Sequence, residues 1–336
     1  MSILLDTEHF LLDIETNGLS HEKHHVVCIG VMYMRQDGEL MTHQWSLQKA
    51  EEERDLLSQF ITFANQFKFV YTYSGRRFDW PFLLARIAHF GLVLSPIVTL
   101  VDMKKTLQLL SPTRNRLEEA LGFKRETSTA GKELVKLYQT YEASGDVLYQ
   151  KIILSHNLEE LKSLLLFYKV YYILYHLKHF TVATTFNQLN ESSLLHLTFK
   201  LPCDDIPSFT LQCEAMTLSK LQDKSLLNIT LPIHHKVLQK PLIPVKDYYY
   251  IPSQNQLLHK SLATFIPSDM KRKATKSECF VEKLDDYFKL YTTTKVTAAI
   301  WYDSSQQPYT PYVSSKDFEL LVIQQLFYYF FQTQKK

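Results

Sequence analysis

Leu11-Leu12-Asp13-Ile14-Glu15-Thr16-Asn17-Gly18-Leu19 is the stretch on which the reading of this chain turns. Apolar and acidic residues alternate in it with the period of a β-strand, where residues two apart project from the same face. Asp13 and Glu15 therefore share one face, while Leu12 and Ile14 point the other way into packing. Two acids side by side on an apolar strand have two explanations. They mark an exposed strand end, or they form part of a cluster that something cationic must neutralise, since desolvated carboxylates repel one another.

Further acids extend the pattern. Asp79 stands in Arg77-Phe78-Asp79-Trp80-Pro81-Phe82, where a helix is expected to begin. It reads as a helix N-cap followed by proline in the first turn, and an acid held that rigidly is also able to bind a metal. Arg86, seven residues on, lies on roughly the same helix face and pairs with an acid or contacts a phosphate. His156 and Glu160 are four apart on an expected helix and share a face. Glu159 is turned away by about 100° and is expected in solvent. An imidazole beside an acid cluster is suited to general-base work near neutral pH. Asn157 either caps the helix or orients a carboxylate. Hard oxygen donors of this kind suit Mg2+ or Mn2+. Two such ions about 4 Å apart clamp the attacking and leaving oxygens of a phosphodiester.

Around these residues the first half reads as α/β. Strands are expected at 9–15, 25–34 and 40–47, a helix at 50–67, a strand at 69–73, a helix at 80–90 and a strand at 98–101. A mainly helical stretch then runs to about 178. Strand, helix and strand in this order imply a sheet flanked by helices. After about residue 180 the pattern turns β-rich, with strands expected at 192–201, 208–218, 226–233 and 247–251 and a closing helix at 315–332. We place the boundary within 178–190, giving domains at 1–180 and 190–336. A chain of 336 residues is long enough for two cores.

Bulk properties remove several classes. A net charge of +2 gives no global pull toward nucleic acid, so any basic surface has to be local. Cys28, Cys203, Cys213 and Cys279 include no CxxC pair, which argues against a zinc ribbon and for reduced thiols. Asp6, Glu8 and Asp13 argue against a secretory signal, and a cytoplasmic location is expected. The apolar runs 161–177 and 318–331 contain Lys162, Lys169, Glu319, Gln324 and Gln325 and read as buried amphipathic helices, so no membrane partner is expected. His21, His24 and His25 read as a polar loop.

The ordered set resembles the DEDD superfamily of 3′–5′ exonucleases and, more narrowly, its YprB-type ribonuclease-H-like domain, over about residues 8–175. The 13–19 stretch is similar to the first exonuclease motif. Ser74-Gly75-Arg76-Arg77-Phe78-Asp79-Trp80-Pro81 with Arg86 is similar to the second. The stretch 117–125, with Gly131, Tyr138, Tyr141, Gly145, Asp146, His156 and Asn157, is similar to the approach to the third. Two positions depart from the pattern: Ser74 stands where the family has Asn, and Glu160 where it has Asp.

The resemblance implies a ribonuclease-H-like mixed sheet flanked by helices, followed here by a smaller β-rich (α+β) domain. It implies that Asp13, Glu15, Asp79 and Glu160 hold two Mg2+ or Mn2+ ions, with His156 beside them. Thr16, Leu19, Ser74 and Arg86 would then meet the substrate, single-stranded DNA or RNA. Arg76, Arg77, Lys104, Lys105, Arg114, Arg116, Lys124 and Arg125 would neutralise phosphates or simply face solvent. The competing reading is a catalytically weak or inactive protein that keeps the fold and binds nucleic acid or a protein partner.

Overall fold

The computed structural model describes residues 5–95, 97–126, 131–189, 192–202, 206–213, 215–221 and 224–331; Cys203 and Gln332 lie outside them. The chain forms two compact units. One comprises Met1–Val182 and Phe199–Asn228, the other Ala183–Thr198 and Ile229–Lys336. Segment 199–228, expected in the second domain, thus belongs to the first compact unit.

The first unit is built on strands β1 (His9–Thr16), β2 (Val26–Met34) and β3 (Leu40–Ser46), helix α1 (Glu53–Ala64), strand β4 (Phe69–Thr72), helix α2 (Asp79–His89) and strand β5 (Thr99–Asp102). The sheet order is β3-β2-β1-β4-β5. The pairs β1–β2 and β2–β3 are antiparallel, whereas β1–β4 and β4–β5 are parallel. Gly38 supplies the positive φ of the β2–β3 turn. On α1, Leu56, Leu57, Phe60, Ile61 and Ala64 form a stripe of helical period and are buried. They share one core with Phe10, Leu12 and Ile14 of β1, Val31 of β2 and Phe82, Leu83 and Ile87 of α2. Fully burying a side chain of this size contributes about 1.5–3 kcal/mol. The expected inward orientation of Leu12 and Ile14 is what the structure has.

The long helical stretch is four helices: α3 (Lys104–Leu107), α4 (Arg114–Ala120), α5 (Gly131–Ser144) and α6 (Val147–His176). Gly122 and Gly145 adopt positive φ just beyond the ends of α4 and α5, the conformation that commonly ends a helix. Asp146 then starts α6, its side chain accepting from the Leu148 amide at 2.9 Å. Helices α5 and α6 cover the sheet face opposite α1, and Val27 and Cys28 pack there against Leu134, Tyr138, Tyr141 and Ile153. Asp13 and Glu15 open onto that face.

The remainder comprises β6 (Thr181–Leu189), β7 (Ser192–Lys200), β8 (Phe209–Cys213), β9 (Met216–Lys220), β10 (Leu226–Pro241), β11 (Tyr248–Ile251), β12 (Gln256–His259), α7 (Lys260–Ala263), β13 (Arg272–Lys273), β14 (Phe280–Lys289), β15 (Trp301–Tyr302), β16 (Pro308–Pro311) and α8 (Lys316–Phe331). Hairpin β8–β9 lies in the first unit. In the second, strands follow the order β14-β16-β15-β10-β7-β6, with β14 also pairing β10, and a small sheet is ordered β12-β11-β13. Helix α8 buries Phe318, Val322, Ile323, Leu326 and Phe330. Its buried Gln325 accepts the amides of Tyr291 and Thr292 at 2.7 and 2.9 Å. No helix among the described residues is long and apolar enough to cross a membrane.

Three expectations change here. The strand expected at 208–218 is the hairpin β8–β9, closed by the pair Cys213–Met216. Its buried positions are 209 and 211, then 216, 218 and 220, and that slip of phase marks the turn. Strand β6 lies within the expected linker. Strand β10 runs eight residues beyond 233 as a ladder with β14. The charged run 281–286 hid β14, since its polar side faces solvent and pairs across the ladder, as in His235–Asp286 at 2.9 Å and Gln239–Glu282 at 3.0 Å.

Candidate active site

The site begins where β1 ends. Glu15 pairs with Cys28 but Thr16 pairs with Val26, so Val27 is an extra residue in β2. A bulge of this kind bends the strand and re-aims the side chains beside it. Asp13 pairs with Gly30 of β2, and Gly30 pairs with Gln44 of β3. The missing side chain at Gly30 leaves room for Asn157 of α6, which is fully buried. A Cβ built on Gly30 would lie 1.9 Å from Asn157 Oδ1. Asn157 Nδ2 donates to Asp13 Oδ2 at 2.9 Å and to the Asp13 carbonyl at 3.2 Å. Its Oδ1 accepts from Gln44 Nε2 at 2.8 Å. Of the two roles open to Asn157, orienting a carboxylate is the one realised; α6 starts ten residues earlier.

Asp79 is the first residue of α2, whose cap position is Phe78 with no side-chain cap. The loop before it is shaped by Asp102 at the end of β5. That carboxylate accepts the amides of Ser74, Arg76 and Lys104 at 2.9, 3.1 and 3.0 Å. Ser74 itself sits at φ 74°, a conformation that asparagine tolerates better than most residues. Its hydroxyl accepts from Lys104 Nζ at 3.0 Å.

Glu160 faces this cluster from α6. His156 Nε2 lies 3.8 Å from Glu15 Oε1 and 3.6 Å from Glu160 Oε1. Side-chain exposure of Glu15, His156 and Glu160 is 14%, 10% and 12%, so the cluster is largely desolvated. Two arginines escort Glu160. Arg125 donates from NH1 to Oε1 at 2.5 Å, and Arg114 forms an ion pair with Oε2. Both guanidinia also bind the buried Glu118. Glu159, expected in solvent, is buried and accepts the Glu126 amide at 2.7 Å.

The electrostatics follow from this crowding. Burial, and then the charges of Glu15, Glu160 and Asp79, raise Asp13 well above the usual carboxylate range, with Arg114 opposing. Burial, Glu160 and Asp79 raise Glu15 well above it too. Asp79 is pushed up to about 6, chiefly by burial. Burial lowers His156, whose Nδ1 has no hydrogen-bond partner among the described residues. Held-up carboxyl pKa values mean that the folded state binds more protons than the unfolded one. Stability contributed here therefore falls as pH rises from about 4 to about 6 for Asp79. In chelator, Asp79→Asn is expected to flatten the dependence of Tm on pH across that window. An unchanged slope would contradict the assignment.

The other expected site residues are placed as follows. Thr16 Oγ1 donates to the Gly18 carbonyl at 2.8 Å, and Leu19 is 85% exposed on the same loop. Arg86 is held by protein on every nitrogen. It donates to Glu53 from Nε at 2.9 Å and NH2 at 2.5 Å, and to the His21 carbonyl from NH1 at 3.0 Å. Of its two expected roles, pairing with an acid is the one the geometry has. His25 bonds Tyr138 Oη at 3.0 Å and His24 lies against Ser20, so the three histidines belong to a polar loop.

Gly30, Gln44, Glu53, Asp102 and Glu118 were absent from the expected set. A lone glycine inside an apolar strand run signals close approach by another group, and Arg114 with Glu118 has ion-pair spacing on a helix. Nothing marks Glu53.

By chemistry the four carboxylates fit Mg2+ or Mn2+: they are hard oxygen donors, half-buried, and Asp13, Glu15 and Asp79 crowd one another. Glu160 Oε2 has an ion-pair neighbour but no hydrogen bond among the described residues. By arrangement they do not fit, since among the described residues no three His, Cys, Asp or Glu side chains are grouped so as to hold a metal ion.

Residues 10–172 match the RNase_H_2 family model, described as RNase_H superfamily. This segment is a ribonuclease-H-like domain. The ribonuclease-H-like domain comprises the whole five-stranded sheet and the carboxylate cluster, and a more β-rich region follows it. No curated protein matches the sequence. Among solved structures, the chain is similar to the family B DNA polymerase of the hyperthermophilic archaeon Pyrobaculum calidifontis. The identity is 12%, covering 96% of this chain and 45% of the polymerase, with a TM-score of 0.41. It is also similar to exonuclease I, at 9% identity over 56% of this chain and 54% of that one, TM-score 0.30. Brucella melitensis NrnC aligns at 21% identity over 51% and 83%, TM-score 0.24. The chain thus spans about half the length of the first two.

Proposed function

We propose that this protein is a metal-dependent nuclease that hydrolyses single-stranded DNA or RNA, working 3′ to 5′ from an end. The observation that supports it is the crowding of Asp13, Glu15 and Asp79 beside Glu160, which together with burial holds the first three carboxyls above their usual range. Carboxylates so placed are satisfied by protons or by cations, and at neutral pH divalent cations are the usual solution. Asp13, Glu15, Asp79 and Glu160 would hold two Mg2+ or Mn2+ ions. Ions held there would neutralise a phosphodiester and lower the pKa of water.

The chain supplies the rest. Asn157 fixes the Asp13 carboxylate from the far side of Gly30. His156, its pKa lowered by burial, is neutral at pH 7 and accepts a proton through Nε2, the nitrogen facing the acids. Leu19, on the exposed loop after β1, contacts the terminal nucleotide, and the exposed Arg76 and Arg77 neutralise phosphates. Arg86 acts at one remove, by holding that loop through the His21 carbonyl.

One observation favours a second reading. Glu160 is engaged by Arg114 and Arg125, an arrangement that also suits an inactive protein using the groove to bind nucleic acid. Incubation of 5′-labelled single-stranded DNA and RNA with Mn2+, with and without chelator, separates the two. A metal-dependent ladder shortening from the 3′ end is expected. Binding without cleavage would replace the first reading by the second.

A further inference from the structure

The donors have the right chemistry for metal and the wrong arrangement, and Glu160 is the one among the four that arginines already hold. Its carboxylate is claimed by a guanidinium that is itself anchored elsewhere. Glu118, 4% exposed, accepts Arg125 Nε at 3.0 Å and NH2 at 2.6 Å. This two-point fork is the strong way to hold an arginine. Ser163 Oγ donates to Glu118 at 2.6 Å and steadies it. Arg125 has a third nitrogen, NH1, and that one reaches Glu160 at 2.5 Å.

Arg114 is placed differently. It lies over the rings of Tyr73 and Phe167 at 5.6 and 5.5 Å and bonds Ser163 Oγ at 3.3 Å. It also donates to Glu118 Oε1 and pairs with Glu160 Oε2, so these contacts and the two rings together hold it. The NH1–Glu160 contact is therefore the separable one: losing it leaves Arg125 still forked on Glu118.

We propose that Arg125, anchored by Glu118, is one of two counter-cations on Glu160, beside Arg114, and competes with divalent metal for Glu160 Oε1. In the metal-free protein Glu160 Oε1 is held by NH1 and becomes available to an ion only when NH1 withdraws. Arg125 is thus a positioning residue that sets how tightly the cluster takes metal. This rests on the reading of the cluster as a metal site.

The test is Mn2+ binding to the full chain without nucleic acid, read from the free-ion EPR signal. Arg125→Gln is expected to tighten Mn2+ binding about tenfold, the scale of one charge-assisted hydrogen bond. In the Arg125→Gln background, Glu160→Gln is expected to abolish the gain. The same Arg125→Gln protein should melt at a lower temperature in chelator, because Glu118 loses its fork. Tighter metal binding in a less stable protein is not the mark of general damage.

Unchanged or weaker Mn2+ binding by Arg125→Gln would overturn the proposal, as would a gain that survives Glu160→Gln. Asp13→Asn tells the two failures apart. If wild type binds Mn2+ through Asp13 and Arg125→Gln gives no gain, the competition fails and the metal site stands. If neither wild type nor Arg125→Gln binds Mn2+, both fail together.

Discussion

Gly30→Ala is expected to destabilise the protein by about 3 kcal/mol, the upper range for overpacking a core. The added Cβ would sit 1.9 Å from Asn157 Oδ1 and 2.8 Å from its Cγ, so the whole amide stands in the way. Asn157 cannot swing aside cheaply, because it is fully buried and tied to Asp13 and Gln44. Moving it would leave Gln44 Nε2 with only the Leu154 carbonyl as acceptor and would release Asp13. Denaturant unfolding measures the loss. Removing the obstructing amide with Asn157→Ala in the same chain is expected to restore part of it. A Gly30→Ala protein as stable as wild type would show that the sheet does not need the close approach.

Arg86→Ala is expected to cost about 3–5 kcal/mol, the range for removing one partner of a buried ion pair. Its partner Glu53 is 1% exposed and would be left with the Val26 amide, 2.9 Å away, as a donor. The loss comes from stranding a charge, so replacing both residues by apolar ones, Arg86→Met with Glu53→Leu, is expected to recover most of it. Equal losses in the single and double variants would place the cost in packing instead. The loop after β1 hangs from Arg86 through the His21 carbonyl, so this change should also loosen Leu19.

These two positions show where the sequence is readable. The period-two alternation of Leu12, Asp13, Ile14 and Glu15 assigns faces directly, and the structure has Leu12 and Ile14 in the core with the acids opposite. The four-residue spacing of His156 and Glu160 puts them 3.6 Å apart. Such inferences need only local geometry. Gly30 was half legible: the glycine in Val26-Val27-Cys28-Ile29-Gly30 marks a close approach, but which residue approaches is settled by α6, over a hundred residues away. Glu53 was not legible. In Glu51-Glu52-Glu53-Arg54 it looks like its solvated neighbours, and only the pairing with Arg86 of another helix makes it core.

The second unit was harder for a related reason. Strands such as β14 turn a charged side to water, and their pairing partners are distant in sequence, so alternation there carries a weak apolar signal. The candidate site was readable in its members more than in their engagement. Asp13, Glu15, Asp79, His156 and Glu160 come together. The hold of Arg125 on Glu160 depends on the fork to Glu118, and nothing in the spacing of 118, 125 and 160 announces it.

The central claim is that the carboxylate cluster cleaves nucleic acid with metal. The most direct test compares wild type and Asp13→Ala on end-labelled single strands with Mn2+, after both are shown to be folded. The account predicts a metal-dependent ladder from wild type and at least a hundredfold slower cleavage, about the cost of misplacing a single catalytic group, from Asp13→Ala. Equal hydrolysis by the two proteins would contradict it.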